Sequence, residues 1–323
     1  MWDYDSLIGK AKVYFTRAEE HPKADDEVMA IWLLLGLEFL LRAPLARVSP
    51  ILLAEPDHAL DAAGFPSPDG TEPKSIATKT VVIRLQRVVE NFTPDRTKDA
   101  NFLINIRNKE LHTGSVAVGL DASTWLPRFV RVLEVVCEHL SLIPEYFIGS
   151  ELIEQGRALI DAENQKLVVE IRKKIATCRA VFQLLRPEEV AVRVLDIPDR
   201  RGQFETIPGL GPGPSQEAFE SWKSIVAETA AEPQLVECPS CAQRAAVRLR
   251  RVRVTNERLE DESILRDSIF VGIGMTCVVC GLDLSNTAEL RAAGIAQQYK
   301  REEEESLEER FELAYEGPDY GND

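Results

Sequence analysis

Through the first 150 residues, apolar positions recur at helical spacing. Asp3 to Glu20 and Asp25 to Arg42 repeat apolar side chains every three or four positions, and Asp25 and Asp26 fall where the start of a helix welcomes negative charge. Pro44 and Pro50 punctuate the stretch after Arg42. Beyond a loop rich in Pro, Gly and Asp, Phe65 to Lys74, the pattern predicts a helix over Ser75 to Phe92 with Val81, Val82, Leu85, Val88 and Val89 on one side. Further helices are predicted over Asp95 to His112, ended by Thr113 and Gly114, and over Ser123 to Leu142. These elements predict a helical bundle over 1–149.

A long charged pattern then predicts a connecting helix within 150–194, where Leu167, Ile171, Ile175, Cys178, Phe182 and Leu185 form a coiled-coil-like stripe. The stripe is expected to pack back on the bundle or to pair with a second subunit. Residues 195–232 read as a linker dense in Pro and Gly with a short helix. Its GLGPG has the wrong glycine spacing for a phosphate loop, and proline removes an N–H that such a loop needs. Residues 233–297 alternate like strands, and 298–323 read as a charged helical tail. The fold class expected is therefore mainly α, with a small C-terminal β unit.

The 323 residues suit about two domains, and 45% apolar with 28% charged side chains describes a soluble globular chain. The longest apolar run, Ile31 to Leu41, contains Glu38 and falls well short of the roughly 20 residues of a bilayer span. With no leader pattern at the start, a cytoplasmic protein without membrane contact is expected. The net charge of −15 argues against capture of nucleic acid by a whole-chain positive field. That acidity is concentrated: Arg301 to Asp323 holds ten acidic residues against two basic, about half of the net charge, and the other 300 residues hold only −7.

Cys238-Pro-Ser-Cys241 and Cys277-Val-Val-Cys280 are two CxxC pairs separated by β-forming residues. Four thiolates at this spacing suit one tetrahedral Zn²⁺, with all positions filled by protein and hence a structural role. The pattern resembles the zinc-ribbon family. Between the pairs, Arg244, Arg248, Arg250, Arg251 and Arg253 either touch phosphates or blunt a solvated edge strand. Eight Arg face eight acidic residues over Pro233 to Ile295, so any basic face there is local.

Histidine is scarce, with four in the chain, and His112 stands five residues after Arg107, with Asn108 between them on the predicted helix face of His112. Five residues is about 500° of helix, so Arg107 and His112 point roughly 140° apart. They meet through a distorted last turn, a long Arg reach or a second subunit. The string Arg107-Asn108-Lys109-Glu110-Leu111-His112 resembles the R-polar-x3-H motif of the HEPN superfamily, small helical bundles found in RNA-cleaving toxins and anti-phage defence proteins. Trp32 to Arg42, carrying Glu38, looks like the second helix of such domains.

That resemblance covers about the first 145 residues and implies a metal-independent endoribonuclease whose site forms where two subunits meet. It gives His112 the role of general acid and base, Arg107 that of phosphate stabiliser, Asn108 that of orienting either, and Glu38 that of orienting Arg107 or His112. RNA as substrate, a homodimer, and a protein partner at the ribbon or acidic tail are the partners expected. The competing expectations are an inactive helical dimer acting as an interaction module, in which Arg107 simply pairs with Glu38 or Glu110, and a DNA-binding regulator. His21, His58 and His139 have no supporting constellation, and Cys137 and Cys178 read as core positions.

Overall fold

Asp3 starts the first helix, α1 (Tyr4–Glu19), by accepting hydrogen bonds from the Ser6 N–H and hydroxyl, both at 2.8 Å. Those bonds, the backbone one first, hold its carboxyl down to about 2. The buried face of α1, Leu7, Ile8, Ala11, Phe15 and Ala18, packs on α2 (Glu27–Val48). Phe15 lies against Gly36, where a β-carbon would stand 2.5 Å from the ring, so only glycine permits this approach. The computed structural model described here covers residues 2–20, 27–67, 70–113, 121–195, 232–261, 263–307 and 310. Asp25, Asp26, Gly114 and the 196–231 linker lie outside them.

Pro44 does not end α2. The helix runs on to Val48 because Ala43 and Leu45 are completely buried, which offsets the backbone bond that proline forfeits. By length and composition Val28–Val48 would also pass as a membrane span, but 61% of its apolar window is buried inside the bundle. It is placed as a core helix.

The remaining helices of the bundle are α3 (Ala59–Ala62), α4 (Thr78–Val88), α5 (Pro94–His112), α6 (Ala122–Leu140) and α7 (Glu145–Ile148). Thr93 caps α5 and Pro94 occupies its first turn; α6 ends on Ser141 in the left-handed region at φ 58°. The core they share contains Phe15, Leu33, Leu40, Leu85, Leu103, Phe129 and Leu133.

The chain divides into two compact units, Met1–Glu163 and Asn164–Asp323. The boundary falls inside α8 (Ser150–Gln183), so the long helix is not a separate connection. In the second unit, Leu167, Ile171, Ile175, Cys178 and Phe182 pack on the ribbon core with Val190 of α9 (Pro187–Leu195). From Leu167 to Phe182 the α8 stripe is thus met by the ribbon core of its own unit.

The sheet of this unit comprises β1 (Gln234–Glu237), β2 (Arg244–Glu260), β3 (Ser263–Thr276), β4 (Asp283–Leu284) and β5 (Gln298–Ser306), all antiparallel. A short helix, Thr287–Ala292, precedes β5. The expected helical tail is corrected over 298–306. That segment is a strand paired with β3 from Val271↔Gln298 to Ser263↔Ser306, and the ribbon sheet extends past residue 297 to include it. Its acids are held there by arginines on β3 and on β2 beyond it, a cross-strand arrangement that local helix preference does not encode.

Candidate functional site

The four cysteines come together. Both CxxC pairs close the same way: Ala242 N–H donates to the Cys238 carbonyl at 2.9 Å and Gly281 N–H to the Cys277 carbonyl at 2.9 Å. Likewise, Cys238 N–H reaches the Gln243 carbonyl and Cys277 N–H the Leu282 carbonyl, each at 2.8 Å. Each turn needs a left-handed residue just after its second cysteine, Ala242 at φ 58° and Gly281 at φ 75°. The glycine is at home there, and the alanine carries strain.

Cys238 and Cys280 sulfurs lie 3.7 Å apart, Cys241 and Cys277 3.6 Å, and all four sit within 4.8 Å of one another, buried. A tetrahedral ion with metal–sulfur bonds of about 2.3 Å requires sulfur–sulfur edges of roughly 3.8 Å, so the cluster is sized for one. The separations also exclude disulfides, whose bond is about 2 Å. Hydrogen bonding from Cys277 and from the Cys241 and Ser240 N–H groups pulls Cys238 down to about 5, against its burial. Burial pushes Cys241 up to about 12, and bonding to Cys238 pushes Cys277 upward too. Four buried thiolates coexist only beside a cation, so the donor set and its environment fit a metal ion.

Two arginines that the sequence did not flag grip the two turns. Arg179 on α8 donates to the Ser240 carbonyl at 3.1 Å and the Pro239 carbonyl at 2.8 Å, while the Ser240 hydroxyl donates to the Ile175 carbonyl at 3.2 Å. Arg193 on α9 donates to the Val279 carbonyl at 2.8 Å. Nothing in their spacing announces this role, because it depends on which face of α8 and α9 meets the ribbon.

The ribbon arginines divide. Arg248 lies over Gly274 and donates to Thr276 Oγ1 at 2.7 Å and the Leu284 carbonyl at 3.3 Å, so it ties strands together. Arg251 pairs with Glu303 at 3.1 Å, and Arg258 and Arg266 pair with Glu302 at 2.6 Å and Glu305 at 2.9 Å. Arg250 and Arg253 are exposed on β2. The acid of β5 therefore sits over part of the basic run.

In the helical unit, α5 carries Arg107 inward to α2. Arg107 Nη2 lies 2.9 Å from Glu38 Oε2, with side-chain exposures of 13% and 17%. Glu38 Oε1 accepts from Thr78 Oγ1 at 2.7 Å and from Arg42 Nη2 at 3.4 Å. Arg42 in turn donates to the Ile76 carbonyl at 3.2 Å. Glu38 is thus a shared anion between two guanidinium groups, at one side of a small crevice lined by Leu34, Leu37, Leu41, Leu103 and Ile104. Arg42, one turn after Glu38, was legible as a neighbour; Thr78, forty positions away, was not.

Asn108 is half-buried, and His112, the last residue of α5, is exposed. Arg107 and His112 point in different directions, as the helical arithmetic requires, and no hydrogen bond joins them among the described residues. Of the residues named from the motif, the fold brings together Arg107 and Glu38 and leaves His112 at the surface. Comparison with known protein families, curated proteins and solved structures finds no match, so the reading of both sites rests on their own geometry.

Proposed function

We propose that the helical unit is a metal-independent endoribonuclease of HEPN type, and that the cysteine cluster holds a structural Zn²⁺. The observation that carries the first part is the Glu38–Arg107 pair at 2.9 Å, which holds the guanidinium against a carboxylate itself held by donors from Thr78 and Arg42, with His112 exposed on the same helix. Arg107 is held by Glu38 and His112 is exposed at the end of the same helix, a division that fits a site completed by a second copy. In that site a neutral His112 takes the proton of a ribose 2′-hydroxyl, whose oxygen attacks phosphorus. The 5′-oxygen leaves and takes up a proton from an imidazolium, with Arg107 stabilising the phosphorane charge. Asn108 orients the phosphate or His112. The products carry a 2′,3′-cyclic phosphate and a 5′-hydroxyl, and DNA resists cleavage for want of the 2′-hydroxyl.

The second reading is an inactive interaction module. It is favoured by the same pair, since the Arg107 charge is already met by Glu38. Incubation of the full chain with mixed RNA in magnesium-free buffer, with end analysis of products, separates the two. Cyclic phosphate ends that vanish in His112→Ala support the nuclease; intact RNA at every protein concentration supports the module. For the metal, purified protein is expected to carry one zinc per chain, and iron or an empty cluster would overturn the assignment.

A further inference from the structure

A second polar and aromatic surface is carried by α1 and α2. Tyr14 stacks near-parallel with Trp32, centroids 5.7 Å apart at 20°, and with Phe39, 5.5 Å apart at 13°. All three residues are half-buried. Lys10 and Arg17, one turn before and one turn after Tyr14, are exposed and lean over the row. The Lys10 ammonium is 5.6 Å from the Phe39 centroid, and the Arg17 guanidinium is 5.1 Å from that of Trp32. Neither cation has an acidic partner among the described residues. Val13 and Val28 extend the surface at 50% and 44% exposure.

A row of parallel rings flanked by cations that have no acidic partner among the described residues matches the demands of a single strand of nucleic acid, whose bases stack on aromatic rings while its phosphates meet positive charge. A protein surface would gain from the rings but would have to bring acids to Lys10 and Arg17. A duplex hides its base faces and would use the cations alone. We infer that the Lys10, Tyr14, Arg17, Trp32 and Phe39 surface binds single-stranded RNA, the choice of RNA over DNA resting on the function proposed for the α5 motif. The rings and cations themselves call only for a single strand, and binding there needs no cleavage.

The test uses the full chain carrying His112→Ala, so that loss of RNA through cleavage does not enter, and a fluorescein-labelled 12-nucleotide oligouridine read by anisotropy at low salt. Tyr14→Leu and Trp32→Leu are expected to weaken binding about fivefold or more each. Arg17→Glu, at an exposed position that leaves the core intact, is expected to weaken binding and to flatten its dependence on salt. A duplex of the same length is expected to bind more weakly and to ignore Tyr14→Leu. Equal affinity for duplex and single strand, or Arg17→Glu and Trp32→Leu chains that stay folded by circular dichroism and bind as wild type, would overturn the inference. No RNA binding, with self-association that Tyr14→Leu abolishes in sedimentation, would overturn it in favour of a protein interface.

Discussion

Glu38 divides its two carboxylate oxygens between Arg107, 2.9 Å from one, and Thr78 and Arg42, which hold the other at 2.7 and 3.4 Å. The pair is largely shielded from water, so removing its acid leaves two guanidinium groups facing each other beside an apolar crevice. Glu38→Ala is expected to destabilise the helical unit by about 3 kcal/mol, the scale for stripping one partner from a shielded ion pair. Urea unfolding followed by circular dichroism measures this, and a loss below about 0.5 kcal/mol would mean that the network is solvated and orients nothing.

The two cysteine turns predict an opposite pair of effects. Ala242→Gly relieves a left-handed alanine and is expected to stabilise the second unit by up to about 1 kcal/mol, whereas Gly281→Ala is expected to cost at least as much. Thermal melts of the zinc-loaded chain compare them. The same sign for both substitutions would contradict the shared geometry of the turns.

Metal removal should be felt locally. Stripping the ion with a strong chelator is expected to remove amide exchange protection at Val247, Leu249 and Met275, whose side chains pack with the four cysteines. Protection around Leu40 and Leu133 in the helical core should remain. Unchanged protection at Met275 would show that the ribbon folds without its ion.

Asp99 gives a pH dependence of known sign. Burial raises its carboxyl above the ordinary value, against the pull of Arg96, Arg131 and Arg128. A raised folded value means that the fold holds this proton more tightly than the unfolded chain does. Its contribution is therefore present below the ordinary aspartate range and is lost as pH rises through the raised value. Relative to wild type, Asp99→Asn should gain stability as pH climbs out of the ordinary aspartate range and through the raised value, where the wild-type carboxyl loses its proton. Urea midpoints across that range are the measurement, and a difference that runs the other way would contradict it.

Much of this was legible before the fold was known, and the failures have physical causes. Helices α1, α4, α5 and α6 follow their apolar spacing to within a few residues, and the two CxxC pairs locate the four-cysteine cluster because ligand spacing is a local property. The run through Pro44 was missed because burial of Ala43 and Leu45 outweighs a lost backbone bond, and that burial is tertiary. Gln298–Ser306 reads as a helix from its glutamates alone; it is a strand because Arg251, Arg258 and Arg266 lie across from them. The α8 stripe is plain in the sequence, but its periodicity does not say which surface covers it. Glu38 was paired with Arg107 as one expectation among several, whereas Thr78, Arg179 and Arg193 act through contacts far apart in sequence.

RNA chemistry at the α5 motif is decided by single-turnover cleavage of a defined single-stranded RNA in magnesium-free buffer by the wild-type chain, His112→Ala and Arg107→Ala. Wild type is expected to give 2′,3′-cyclic phosphate products, and both variants to be slower by at least about 100-fold, the scale for losing a general acid–base or a charge stabiliser. Cleavage that proceeds at the wild-type rate in both folded variants, or no cleavage by wild type, would contradict it.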